Sequence, residues 1–420
     1  MDDTRWLDGV RGAAAAIVCV NHLYMGAVPA PHRGYGSYPP EENNYWFQLP
    51  PFRIAFEAHA CVAIFMVVSG ISISWKALHL RSEGRKTELL SNVSSSMLRR
   101  GIRLYLPVVA ISVISQVVLY LDWYKWQPAK VQRDKLPNVW SHVIFCARYI
   151  LSAIDVFGLP FDDGLNPQLW TIPLEYRGSL AVYTYIIALQ RSTSRYRRVV
   201  LALILFWLYY RNYWDLAGFT AGLLMADISV RPTSDLQTVE QKPRCTPTRR
   251  SSSAVTAMLL VTGIYLFCSS DSVDLPPGYG LLAWFEPSTW KSQGDHADPQ
   301  INPRFMWKTI GAASLVFALI RSPSLQIPFR SRFLQYLGRI SYGIYCVHQL
   351  VYRCLRERVR WWAFDLLGNE YGVNDWLSWI ITATVCWPII LKLGEWFTTF
   401  IDKPSQSIAK RMEAFMTRHE

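Results

Sequence analysis

"RWLDGVRGAAAAIVCVNHLY", residues 5–24, opens on three charges, passes into small apolar residues and ends on a histidine. About twenty residues at 1.5 Å each cross the roughly 30 Å hydrocarbon core of a bilayer, so the stretch reads as a transmembrane helix. Similar apolar runs recur along the chain. They predict an all-α, polytopic bundle of about ten spans, near residues 9–28, 58–78, 104–121, 168–190, 199–213, 214–230, 254–269, 306–321, 340–355 and 376–398. Segment 143–160 is also apolar, but Arg148 and Asp155 interrupt it, and it reads as re-entrant or interfacial. Composition agrees with a membrane protein: 51% of the 420 residues are hydrophobic, 18% are charged, and Trp, Tyr and Phe number 18, 22 and 19.

The formal charge of +12 comes from basic residues spread over short loops, not gathered on one soluble face. The expected partners of these loops are therefore the anionic headgroups of the lipid bilayer or a polyanionic ligand, and not nucleic acid. Ten spans with both termini cytoplasmic place six basic residues in 79–103, four in 191–198, five in 231–250, four in 321–339 and four in 399–420. The opposite loops 29–55 and 270–305 carry two each, whereas 122–142 carries four and "RERVR" at 356–360 runs against the pattern. The N-terminus lacks the basic region and cleavage site of a signal peptide, so the first helix is expected to direct insertion, into an endomembrane such as the endoplasmic reticulum. Without internal repeats or a soluble domain, residues 1–420 read as one membrane domain, with 231–252 a flexible cytoplasmic loop. Six of the eight cysteines lie in predicted spans without metal-ligand spacing, so neither a metal nor a disulfide framework is expected.

Ionisable groups inside a span cost several kcal/mol by insertion scales, so they usually face a cavity, pair with one another or line a pathway. Four stretches carry them. Arg5, Asp8 and Arg11 stand at intervals of three on the helix that carries His22, eleven residues after Arg11 and so about 17 Å further along. In "MLRRGIRLYLP" (97–107), Arg100 and Arg103 are one turn apart, as positive-inside anchors or as a bidentate phosphate grip. In "NPQLWTIPLEYRGSL" (166–180), Trp170 precedes Glu175. Arg177 points elsewhere on the helix, so Glu175 is expected to meet a group from another span, His22 among the candidates. In "LGRISYGIYCVHQL" (337–350), Tyr342, Tyr345 and His348 follow one another along a late helix.

These stretches, in this order, resemble the acyltransferase 3 family of multispanning membrane acyltransferases. The resemblance rests on R-x-x-D-G-x-R-G followed by a histidine (Arg5 to His22), "FMVVSG" at 65–70, R-x-x-R at Arg100 and Arg103, W-T-x-x-x-E at Trp170 to Glu175, and "SYGIYCVHQ" at 341–349. The form "LWTIPLEYRGS" is similar to fungal members that acylate secondary metabolites. The resemblance implies transfer of an acyl group, often acetyl, from coenzyme A to a hydroxyl of a lipophilic small molecule. It casts His22 as base, Glu175 as its support, and Arg5, Arg11, Arg100 and Arg103 as phosphate ligands of acetyl-CoA. Asp8, Trp170, Tyr342, Tyr345 and His348 would line the site.

The chemistry is compatible. A neutral imidazole can take the proton of an attacking alcohol, an effect worth about 10²–10⁴ in rate. The competing reading is a proton-coupled secondary transporter, which also uses intramembrane His and Glu but predicts paired halves that the sequence does not show.

Overall fold

The computed structural model describes residues 4–25, 28, 30–124, 135–158, 165–230, 249–270, 275–291, 304–369 and 372–416. The loop expected at 231–252 lies outside the described residues as far as 248. All regular structure among the described residues is helical. The helices are α1 (Arg5–Tyr24), α2 (Ala58–Ser82), α3 (Lys86–Tyr120), α4 (Val139–Ile154), α5 (Thr171–Ala188), α6 (Ser194–Tyr210) and α7 (Trp214–Ser229). They continue with α8 (Arg249–Phe267), α9 (Arg304–Arg321), α10 (Arg332–Val351), α11 (Glu357–Leu366), α12 (Val373–Phe397) and α13 (Lys403–Met416).

Among the described residues three helices are long and apolar enough to cross a membrane: α2, α3, and the continuous run Val373–Met416 that joins α12 to α13 through a π-turn. The ten expected spans are thus not established by length and apolarity. One physical reason is that several helices carry their charges inside the first turns and not in the preceding loops, as with Arg195, Arg197 and Arg198 in α6. The apolar segment expected to be re-entrant or interfacial holds a regular 16-residue helix, α4, shorter than the candidate spans. Asn138 caps it by accepting from Ser141 N (2.9 Å), and Asp155 closes it by accepting from the amides of Phe157 and Gly158. Asp155 therefore terminates the helix.

The chain forms two compact units, Met1–Met97 with Arg177–Gln335 and Leu98–Tyr176 with Tyr336–Glu420, whose boundaries fall within α3, α5 and α10. In the first unit α2 crosses α7 at backbone contact. A Cβ on Gly70 would stand 2.3 Å from the Phe219 carbonyl oxygen, and one on Gly222 would stand 2.2 Å from that of Val67. Glycine in "FMVVSG" is thus required by packing, as at close helix crossings in membranes. Small residues do the same work in the core shared by α1, α2, α8 and α9, where Ala14, Ala60, Ala63 and Ala312 are at most 1% exposed.

In the second unit α3 is the spine. Tyr342 of α10 donates to Leu104 O (2.8 Å), while Arg353, in the π-turn that follows α10, lies over the Tyr124 ring, so α10 runs parallel to α3. Ser115 meets Asn166 and Tyr105 meets Tyr176, so the chain entering α5 runs antiparallel to it. The "RERVR" stretch that opposed the charge pattern is explained by burial. Arg356 is fully buried over Trp379 and paired with Glu357, and Arg360 packs on Trp361 and Trp379 and bonds Asp375. Two of its three arginines are therefore structural cations, not loop charges that set orientation.

Candidate active site

On α1, Arg5 and Asp8 are exposed and Arg11 is half-buried. Arg11 donates to Asp8 Oδ1 (3.0 Å) and to Ser72 Oγ (2.7 Å), and the Ser72 hydroxyl donates in turn to Val68 O (2.8 Å). The expected charged face is therefore an aimed guanidinium, since both acceptors fix its plane. Ser72 carried no signal of its own in the sequence.

α1 ends at Tyr24, where Met25 N still donates to Asn21 O (3.1 Å). His22 thus stands in the last turn, half-buried, and not midway along a longer span. The preceding residue fixes this end: Asn21 Nδ2 donates to Phe56 O and meets His32 Nδ1. Behind it lies a buried polar lattice that the sequence reading missed. Arg53 and Glu57 pair, Glu57 pairs with Lys308 of α9, and Arg53 also donates to the carbonyls of His32 and Arg33. All three charged side chains are at most 3% exposed. A lone lysine inside the apolar stretch "FMWKTIGAASL" was the available signal.

In the second unit Arg100 Nη2 donates to Glu175 Oε1 at 2.6 Å. The expectation that Glu175 meets another helix is met by an arginine, and two residues read as having separate roles form one ion pair. Arg103 is exposed one turn on. Trp170 closes the 3-10 turn Pro167–Trp170 that leads into α5. Gln168 and Thr171, on either side of Trp170, bind it to α10: Tyr345 OH bonds Gln168 O and Thr171 Oγ1, and Gln168 Nε2 donates to Cys346 O (3.0 Å).

His348 is fully buried, and its Nδ1 lies 3.1 Å from Ile344 O one turn back on α10. A carbonyl can only accept, so Nδ1 carries the proton. Tyr345 and Tyr352 flank the ring. This is a satisfied core histidine. Arg177 points away from Glu175, as expected, and pairs with Asp215 of α7 (2.7 Å).

α1 thus carries an aimed guanidinium, Arg11, in its second turn and an imidazole, His22, in its last, groups able to meet an anion and to take a proton. A family profile described as an acyltransferase domain matches residues 4–393. An O-acetyltransferase of Phomopsis amygdali is 26% identical over 449 residues, covering 98% of this chain and 84% of that protein. An acyltransferase of a Phoma species is 23% identical over 97% of this chain and 95% of its own length. An acyltransferase of Cochliobolus lunatus is 21% identical over 96% and 94%. No solved structure matches the chain significantly.

Proposed function

The chain belongs to the acyltransferase 3 family, and from that membership we propose that it moves an acetyl group from acetyl-CoA to a hydroxyl of a lipophilic small molecule, such as a terpenoid, meroterpenoid or polyketide. Acyl transfer itself is what the family and the fungal relatives support. The donor and the class of acceptor are the finer reading. In it, the ring of His22 accepts the hydroxyl proton as the oxygen attacks the thioester carbonyl. Collapse of the tetrahedral intermediate expels the coenzyme A thiolate. That thiolate takes the proton back from the imidazolium, which balances the reaction as alcohol plus acetyl-CoA to ester plus free thiol.

Arg5, Arg11, Arg100 and Arg103 hold donor phosphates in this reading, and Asp8 aims Arg11. Arg100 shares its charge with Glu175, as Arg11 does with Asp8. The observation that carries the proposal is the double hold on Arg11, which orients a guanidinium on the same helix that ends at His22. The chain is taken as one membrane domain of about ten spans, with both termini cytoplasmic, in an endomembrane such as the endoplasmic reticulum.

Labelled acetyl transfer from acetyl-CoA to a panel of lipophilic alcohols, in membranes bearing the wild type or His22→Ala, tests this. Transfer lost in the variant supports the base. Full activity of His22→Ala, or proton-coupled uptake by a wild type inactive on every alcohol, overturns it.

A further inference from the structure

Segment 45–56, "YWFQLPPFRIAF", is built inside out. Its polar groups are buried: Gln48 and Arg53 are each 2% exposed. Gln48 accepts from Tyr45 N and donates to Asn43 Oδ1, both at 3.0 Å, and Arg53 belongs to the buried lattice with Glu57 and Lys308. Its rings point out, with Trp46 66%, Phe52 55% and Tyr45 41% exposed. Scattered exposed rings need no explanation, but connected ones on a rigid frame do.

These rings are connected. Trp46 meets Phe52 at 5.1 Å and Phe47 at 6.0 Å, Phe47 meets Phe56 at 5.7 Å, and Phe56 meets Tyr24 at 6.2 Å. Tyr24 is in the last turn of α1, two residues after His22, and Asn21 holds the Phe56 carbonyl there. Exposure falls along the series, from Trp46 and Phe52 on the surface to half-buried Phe47, Phe56 and Tyr24.

We propose that this ladder of rings binds the acceptor, and that the acceptor is an uncharged alcohol built on flat, apolar rings whose hydroxyl is led to the turn of His22. The proposal rests on the reading of His22 as base. The one charged side chain of the segment, Arg53, is turned inward, so the face offers nothing to a phosphate. Arg5 stands about 25 Å away along α1, at 1.5 Å per residue over seventeen residues. Planar molecules match the face because aromatic rings pack edge to face or offset at centroid spacings of about 4.5–7 Å.

A belt of interfacial anchors is the alternative occupant's signature, and another loop shows what it looks like. Leu281, Trp284 and Phe285 are 71%, 86% and 67% exposed, and among the described residues neither ring touches another. The 45–56 rings differ by continuing inward to a functional turn.

The test is photolabelling of the full-length protein in detergent with 4-(hydroxymethyl)benzophenone, a neutral aromatic alcohol whose excited ketone favours methionine, followed by peptide mass spectrometry. Met25 is 43% exposed beside Tyr24, and Met258 on α8, 71% exposed, reports non-specific partition. The expected result is adducts at Met25 and within 45–56, about fivefold or more above Met258, the discrimination that a ring contact supplies. Unlabelled 1-pyrenemethanol should suppress them and 1-dodecanol should do so weakly. The pair Trp46→Ala and Phe52→Ala should lower the Met25 adduct about fivefold, while Trp284→Ala should leave it unchanged. Equal yields at Met25 and Met258 would mean interfacial partition, and an adduct indifferent to Trp46 and Phe52 would mean another binding surface; either overturns the proposal. His22→Ala should label normally while losing transfer. Failure of the base reading thus shows in transfer, and failure of the ladder shows in labelling.

Discussion

α1 and α10 carry the same residue types in the same order, arginine then histidine, and fold them into opposite environments. Arg11 is aimed by Asp8 and Ser72, and His22 stands half-buried where its helix ends. Arg339 packs on Tyr336, and His348, in the last turn of α10, is fully buried with Nδ1 committed to its own backbone. An imidazole that must accept and release a proton needs a neighbourhood that tolerates the cation, and a fully buried ring between two tyrosines lacks one. Both histidines stand in the last turn of their helices, so what separates them is burial: His22 is half-buried beside a polar frame and His348 is sealed in the core.

The largest test of that contrast is kinetic. His22→Ala should lower kcat by about 10²–10⁴ while leaving thermal stability within about 0.5 kcal/mol, measured by transfer assay and unfolding in detergent. Next, Glu57→Gln leaves Arg53 and Lys308 buried as two cations without the carboxylate they share and should destabilise by about 3–5 kcal/mol, with Lys308→Met in the same chain recovering part of the loss. A neutral outcome for Glu57→Gln would mean that the lattice does not hold the His22 end. His348→Leu should behave in the opposite way to His22→Ala, with kcat within about threefold and stability lower by about 1–3 kcal/mol, the worth of a buried hydrogen bond. If His348→Leu abolished transfer in a folded protein, the contrast between the helices would be reversed. The smallest effect is the coupling of Arg100 with Glu175, both partly exposed, which a double-mutant cycle should find near 1 kcal/mol.

Much of the site's inventory is legible in residue order alone. The charged opening of α1, the arginines before the apolar part of α3, and Glu175 inside an apolar run each violate what a bilayer allows, and each proved to be engaged. Partners were not legible. Asp8 with Arg11 is local, three residues apart on a helix, and follows from periodicity. Ser72, Arg100 with Glu175, and Lys308 with Glu57 are separated by 61, 75 and 251 positions, so nothing in local spacing announces them. The "RERVR" charges misled for the same reason, because loop charges and buried cations share one alphabet and only Trp379 and Asp375 distinguish them.

By itself the sequence determined the all-helical class, the acyltransferase family and the residue types available for proton transfer and anion binding. These depend on composition, on a 3.6-residue period and on ordered motifs, all of which are properties of neighbours along the chain. The tertiary structure decided where α1 stops, which histidine is a core residue, which arginines are already paired, and that the rings of 45–56 connect outward from the His22 turn. Those depend on contacts between segments far apart in the chain, where burial and pairing are set by what packs alongside.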